Sequence, residues 1–288
     1  MTPQDFDYLR KFLRDRSGLV LAVEKQYLAE SRLLPVARRN DMSTLDELID
    51  RLKNRTSAPL SAEVVEAMTT NETFFFRDKL PFDHFRDTIM PTLIAARARE
   101  KRIRIWCTAA STGQEPYSLA MAIKSMGAAI AGYRIDIVAT DLSSDVLEKA
   151  KAGIYSQFEV QRGLPVQLLV KFFDQVGETW RLAPELRSMV QFRPLNLLND
   201  FSVLGNFDIV FCRNVLIYFD QETKIAVLNR IARQMPEDGF LVLGAAETVI
   251  GLTEAFKPLA DKRGLYVLNS QHSTRGADNV IRLAAAKA

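Results

Sequence analysis

Glu115 and Asp141 each stand where an apolar run gives way to polar sequence, a position from which a carboxylate can hold a cation or a pair of hydroxyls. Ahead of Glu115, the run Ile103, Ile105, Trp106 and Cys107 stops at small residues, Ala109, Ala110, Ser111, Thr112 and Gly113. A single glycine there is not the three of a dinucleotide fingerprint. A carboxylate at a helix start repels a pyrophosphate but suits an amino-acid ammonium or a sulfonium, and it also sits well against the helix dipole with no ligand at all. Asp141 follows the run Tyr133 to Thr140. An acidic residue closing the second strand of a nucleotide-binding half accepts hydrogen bonds from ribose hydroxyls; its competing use is to cap the helix beginning near Ser143 and Ser144. Upstream, Asn71, Thr73 and Arg77 flank three consecutive phenylalanines, Phe74 to Phe76. Such rings form either a lid over a planar ligand, with polar contacts at its edge, or a plug of core aromatics between domains.

These positions require an α/β scaffold. Strand, small-residue loop and helix (Pro116 in its first turn, then Tyr117, Leu119, Ala120 and Ile123) place the loop at the carboxyl end of an open parallel sheet. Phe207 to Phe219 supplies the next strong strand, with Arg213 and Asn214 at its carboxyl end, and Phe240 to Leu243 a further one. Ala255 to Leu259 and Leu265 to Leu268 read as a closing antiparallel pair, and Ile154 to Val176 as loop and helices. Thr179 to Leu182 and Met189 to Phe192 read as one small antiparallel excursion, ending at Asn196 and Leu197. Helical spacing throughout Thr2 to Ser61 makes a separate all-α unit, with a soft boundary at Arg55 to Pro59. The predicted domains are 1–62, helical, and 63–269, α/β with a β insert at about 177–193; a polar, Ala-rich tail covers 270–288.

A chain of 288 residues, 48% hydrophobic and 25% charged, is large enough for this arrangement. A net charge of +3 does not announce a nucleic-acid binder. No apolar stretch approaches 18 residues and no leader pattern opens the chain, so no membrane insertion and a cytoplasmic location are expected. Cys107 and Cys212, each ending an apolar run, read as reduced core thiols. His84, read as an exposed helical residue, and His272 are the two histidines, and no metal site is expected. The basic residues from Arg10 to Arg16 read as a solvated, ion-paired face or as a docking surface for an acidic helical partner.

NETFFFR, AASTGQEPYS, ATDLS, RGLP, PLNL and FDIVFCRNVLIYF occur in the order and spacing of the CheR family of chemotaxis receptor methyltransferases, and from about Ser17 to Asn269 the chain resembles that family. The resemblance implies a Rossmann-like class I methyltransferase domain carrying a small antiparallel β-subdomain and preceded by a small all-α receptor-recognition domain. It implies a monomer that transfers methyl groups from S-adenosylmethionine, leaving S-adenosylhomocysteine, to glutamate side chains on the helical cytoplasmic domain of chemoreceptors, tuning adaptation. By position, the implied cofactor contacts are Asn71, Thr73, Arg77, Glu115, Asp141, Asn196, Leu197, Asn214 and Val215. Glu115 or a neighbouring carbonyl would take the methionine ammonium, Asp141 the ribose and Asn196 the adenine edge. Arg77 and Tyr218 would orient the incoming carboxylate, unless Arg77 binds only the cofactor carboxylate. The segment Phe173 to Phe192 is short and lacks the extra Gly-rich loop associated with a receptor-peptide tether. A methyltransferase on another substrate, or an inactive cofactor-binding adaptor, are the alternatives.

Overall fold

Phe6, Leu9, Phe12 and Leu13 recur at helical spacing and bury one side of α1 (Pro3–Ser17), whose first turn is closed by a Thr2–Asp5 capping box. Against it pack α2 (Gln26–Arg39), α3 (Leu45–Asn54) and α4 (Ala58–Met68), sharing a core of Leu33, Leu48, Ile49 and Val64. The computed structural model describes residues 1–54 and 57–269, so the expected tail at 270–288 and His272 lie outside the described residues. Ser57 and Pro59, which read as a break in the sequence, instead start α4: Ser57 Oγ accepts the Leu60 N–H and Pro59 occupies the first turn. Leu60, Val64, Val65 and Met68 bury this helix in the N-terminal core, so the all-α unit extends to its end at Met68 rather than to 62.

After α5 (Leu80–His84), a π-helical turn at Phe85–Ile89 and α6 (Met90–Ala96), the chain alternates strand and helix. In order follow β1 (Arg102–Cys107), α7 (Gln114–Ser125), β2 (Arg134–Asp141), α8 (Ser144–Ala152), β3 (Ile154–Ser156), α9 (Gln157–Gln161), α10 (Val166–Phe172), β4 (Phe173–Val176), β5 (Thr179–Leu182) and α11 (Pro184–Arg187). Then come β6 (Val190–Pro194), β7 (Ile209–Cys212), α12 (Gln221–Ala232), β8 (Phe240–Leu243), β9 (Phe256–Pro258) and β10 (Leu265–Leu268). Among the described residues, seven strands form one sheet in the order β6-β2-β1-β7-β8-β10-β9, all running in one direction except β10, which is antiparallel to both of its neighbours, β8 and β9. Alternate residues of the central strands enter two cores. Ile103, Ile105, Ile209 and Phe211 pack on one face with Tyr117 and Leu119 of α7, while Trp106, Val210 and Leu241 pack on the other with Leu228 and Ile231 of α12. Cys107 and Cys212 are buried free thiols in these layers, as expected.

Two expectations are corrected. Met189 to Phe192 does not belong to the antiparallel insert: β6 runs parallel to β2 at the edge of the main sheet, with Val190 opposite Ile137. The insert is instead the sheet β3-β5-β4, and β3 spans just three residues between two helices, too short to leave a periodic signal. His84 is buried rather than exposed: its Nε2 lies 3.3 Å from the Arg263 carbonyl oxygen, and burial pushes its pKa below the usual imidazole value. Among the described residues, no helix is long and apolar enough to cross a membrane.

Candidate active site

From β1 the chain winds outward through β2 to β6, then returns to lay β7 and β8 on the other side of β1. The order therefore reverses between β1 and β7, and at such a switch point the loops leaving the carboxyl ends part to form a crevice. A cleft of about 970 Å3 of atom-free space, part of it open to solvent, lies there. Its wall includes all ten positions anticipated from sequence: Asn71, Thr73, Arg77, Glu115, Asp141, Asn196, Leu197, Asn214, Val215 and Tyr218. The N-terminal domain closes another side with Ser17 and Leu19.

On the β1 side, Asp141 ends β2 and turns its carboxylate back to the small-residue loop. Oδ2 accepts the Ser111 N–H at 2.8 Å and Oδ1 the Ser143 N–H at 3.0 Å. The cap of α8 is Ser143, not Asp141, so the capping alternative for Asp141 falls away. Ser111 takes a left-handed φ of 48° and its hydroxyl donates to the Asn71 carbonyl at 2.7 Å, joining this loop to the aromatic segment. Burial pushes the Asp141 carboxyl above the usual carboxylate range despite its amide partners.

Across the switch point stands Arg213, a residue that sequence reasoning placed at the strand end but did not assign to the site. Its guanidinium is buried; Nη1 donates to Glu115 Oε2 at 2.7 Å, and Nη2 donates to Asp78 Oδ2 at 2.8 Å and to the Arg77 carbonyl at 2.9 Å. Glu115 is thus a member of a buried ion pair and not merely a partner for the helix dipole. Burial pushes its pKa upward, and the Arg213 charge works against that shift. Arg213 also lines the cleft, and its Nε is buried with no hydrogen-bond partner among the described residues.

The aromatic segment divides its labour. Phe75 is fully buried against Tyr155 and Phe173, and Phe76 packs edge-on to Phe82, so these rings are a core plug. Phe74 lies between two guanidinium groups, 4.4 Å from Arg162 and 5.6 Å from Arg77. Gly163 makes the RGLP turn possible here: it has φ 82°, and a Cβ would lie 2.1 Å from the Phe75 carbonyl oxygen. Asn196 is engaged in tying the domains together, its Nδ2 donating to the Arg16 carbonyl at 2.6 Å and its Oδ1 accepting the Leu198 N–H at 2.9 Å. The Tyr218 carbonyl accepts the Val20 N–H at 2.9 Å. Cations of the α1 face pair within the chain: Arg14 Nε donates to Asp220 at 2.7 Å and Arg10 Nε to the Leu21 carbonyl at 2.8 Å.

Two family models match the chain: the one described as CheR methyltransferase, all-alpha domain, over residues 4–69, and the one described as CheR methyltransferase, SAM binding domain, over residues 71–265. The limit between them falls at the end of α4. The chain is 43% identical over 267 residues to chemotaxis protein methyltransferase 1 of Pseudomonas aeruginosa, covering 91% of this chain and 96% of that protein. It is 40% identical over 265 residues to chemotaxis protein methyltransferase Cher2 of Pseudomonas putida, with coverage of 91% and 96%. Against the chemotaxis protein methyltransferase of Escherichia coli the identity is 34% over 255 residues, with coverage of 87% and 86%.

Proposed function

This chain belongs to the CheR family of chemotaxis methyltransferases, and we propose that the cleft at its switch point is where the methyl group of S-adenosylmethionine passes to glutamate side chains of chemoreceptors, forming methyl esters. One observation carries the assignment of the cleft: side chains from five separated segments, 71–77, 115, 141, 196–197 and 214–218, all wall the same space.

The residues present fit S-adenosylmethionine. Glu115 offers a carboxylate for the methionine ammonium and Asp141 one for ribose hydroxyls, each with acceptor capacity beyond its protein partners. Leu142, Leu197 and Val215 offer apolar surface for the adenine. When bound, the cofactor supplies an electrophilic methyl group on a sulfonium. The chain's own work is positional. A glutamate with an ordinary pKa of about 4.3 is already ionised at neutral pH, so no general base is required of a cleft that no histidine lines among the described residues. Arg77 and Tyr218 orient the receptor carboxylate, and the walls strip its water as it enters.

Incubation with labelled S-adenosylmethionine and receptor cytoplasmic fragments tests this reading: the label enters the receptor as a base-labile ester that releases methanol. Tyr218→Phe is expected to lower kcat by about tenfold or more with unchanged affinity for S-adenosylhomocysteine. If Arg77→Ala weakens cofactor binding alone and leaves turnover intact, Arg77 serves the cofactor's carboxylate and not the substrate's. The helical domain of the receptor is the partner in this reading, a monomer is the working unit, and the N-terminal domain recognises the receptor while forming the cleft's outer wall.

A further inference from the structure

Glu247, in the turn after β8, belongs to no motif that the sequence singled out. It is 9% exposed, and its carboxylate collects four backbone N–H groups: Oε2 accepts from Asn214 and Gly244, both at 2.8 Å, and Oε1 from Val215 at 2.9 Å and Leu216 at 2.8 Å. Three successive amides turned toward one point make a concavity of the kind that binds anions, and here the anion is the chain's own side chain. To make it, Asn214 adopts a left-handed φ of 57°, a conformation that costs a non-glycine residue free energy unless its surroundings hold it. A carboxylate has about four acceptor positions. All are taken by backbone, so Glu247 has none left for cofactor or substrate.

We infer that Glu247 is a positioning residue for methyl transfer: by fixing the backbone of 214–216 it sets Asn214 and Val215 against the cofactor and Tyr218 toward the incoming carboxylate. This rests on the reading of the cleft given above. The segment is gripped at two points. Glu247 holds its start, and the N-terminal domain holds its end through the Val20 N–H on the Tyr218 carbonyl. A neutral isostere cannot replace the carboxylate. In Glu247→Gln, whichever oxygen becomes –NH2 faces two N–H donors, so two hydrogen bonds turn into donor–donor contacts. Gly244→Ala attacks the same junction from the other side, because its Cβ would lie 2.7 Å from Glu247 Oε2 and 3.0 Å from the Asn214 nitrogen.

The experiment compares Glu247→Gln, Glu247→Asp and Gly244→Ala with Leu228→Val, a buried change in α12 chosen to lower the melting temperature comparably. Methyl transfer is measured at saturating S-adenosylmethionine and receptor fragment, and hydrogen exchange is followed at the amides of 214–216. The Gln and Gly244→Ala variants are expected to lose about tenfold to a hundredfold in kcat with faster exchange at those amides, whereas Glu247→Asp, keeping both oxygens, recovers part of each. Leu228→Val keeps kcat. A Glu247→Gln enzyme with wild-type kcat, or with a loss no larger than that of Leu228→Val, overturns the inference, as does unchanged exchange. Should Glu247→Gln not fold, Gly244→Ala and Glu247→Asp decide by the same two readouts. If the wild-type chain methylates no receptor, the proposed function fails, while the exchange rates still judge the hold of Glu247 on its loop.

Discussion

The loops that leave β1 and β7 face each other across the switch point, and each is held by a carboxylate from the next strand outward: Asp141 at the end of β2 for one, Glu247 beyond β8 for the other. Each loop contains a non-glycine residue in the left-handed region, Ser111 at φ 48° and Asn214 at φ 57°. The difference lies in saturation. Asp141 accepts one loop amide on each oxygen and keeps lone pairs for a ligand, whereas Glu247 accepts two on each and keeps none. A partly occupied carboxylate at a strand end serves ligand and backbone together, and a fully occupied one serves backbone alone. Arg213 is what makes the two loops one site, since it grips Glu115 on the β1 side and Asp78 beside the aromatic segment.

Cutting that link is the most disruptive test. In Arg213→Met the buried Glu115 carboxylate loses its countercharge, and breaking a buried pair from one side costs about 3–5 kcal/mol. Chemical denaturation should show a loss of that size, and calorimetry should show no measurable uptake of S-adenosylhomocysteine. Adding Glu115→Gln removes the stranded charge and is expected to restore most of the stability without restoring binding. A double variant that binds normally would leave Glu115 with the ion pair as its sole role.

The ligand-facing carboxylate should respond differently from the saturated one. Asp141→Asn loses the charge and turns one of its two backbone hydrogen bonds, to Ser111 or to Ser143, into a donor–donor contact; hydrogen bonds to charged groups contribute about 1.5–3 kcal/mol, so affinity for S-adenosylhomocysteine should fall by at least about tenfold to a hundredfold. Acidity supplies a second readout. Burial raises both Asp141 and Glu115, so each takes up a proton at higher pH than an ordinary carboxylate, and cofactor binding to the ionised forms must release it. Affinity in the wild type should therefore weaken as pH falls through these raised values, and less steeply in Asp141→Asn. Since both folded-state values lie above the unfolded ones, the free protein loses stability as pH rises through that interval, and bound cofactor should restore part of it.

How far the residues disclosed their arrangement follows the same division. Ile209 to Cys212 is buried on both faces and reads as a continuous apolar run, so the central strands and the polar residues just past them were visible in order. β3 and β6 were not, because a three-residue strand and a half-exposed edge strand leave almost no pattern, and their partners are set by the path of the chain. Glu247 lies in no motif read from the sequence; the pairing of β8 beside β7 is what brings its carboxylate to the Asn214 N–H. His84 reads as exposed on its short helix, and the turn bearing Arg263, far along the chain, is what covers it.

The smallest expected effect lies where the domains meet. Arg14 is more than half exposed; its Nε donates to Asp220 at 2.7 Å, and Asp220 also caps α12 by accepting the Thr223 N–H at 2.9 Å. An exposed pair of this kind contributes about 0.2–1 kcal/mol and less in high salt, so Arg14→Ala should lower unfolding stability by no more than that. The neighbouring cations are likewise paired, Arg10 with Asp7 and Lys11 with Asp15, which favours the ion-paired face over a bare docking surface. On that basis the Michaelis constant for receptor fragments should stay within about twofold in Arg14→Ala, with its salt dependence intact. A larger rise, accompanied by loss of salt dependence, would move Arg14 from holding the two domains together to reading the receptor's acidic helices.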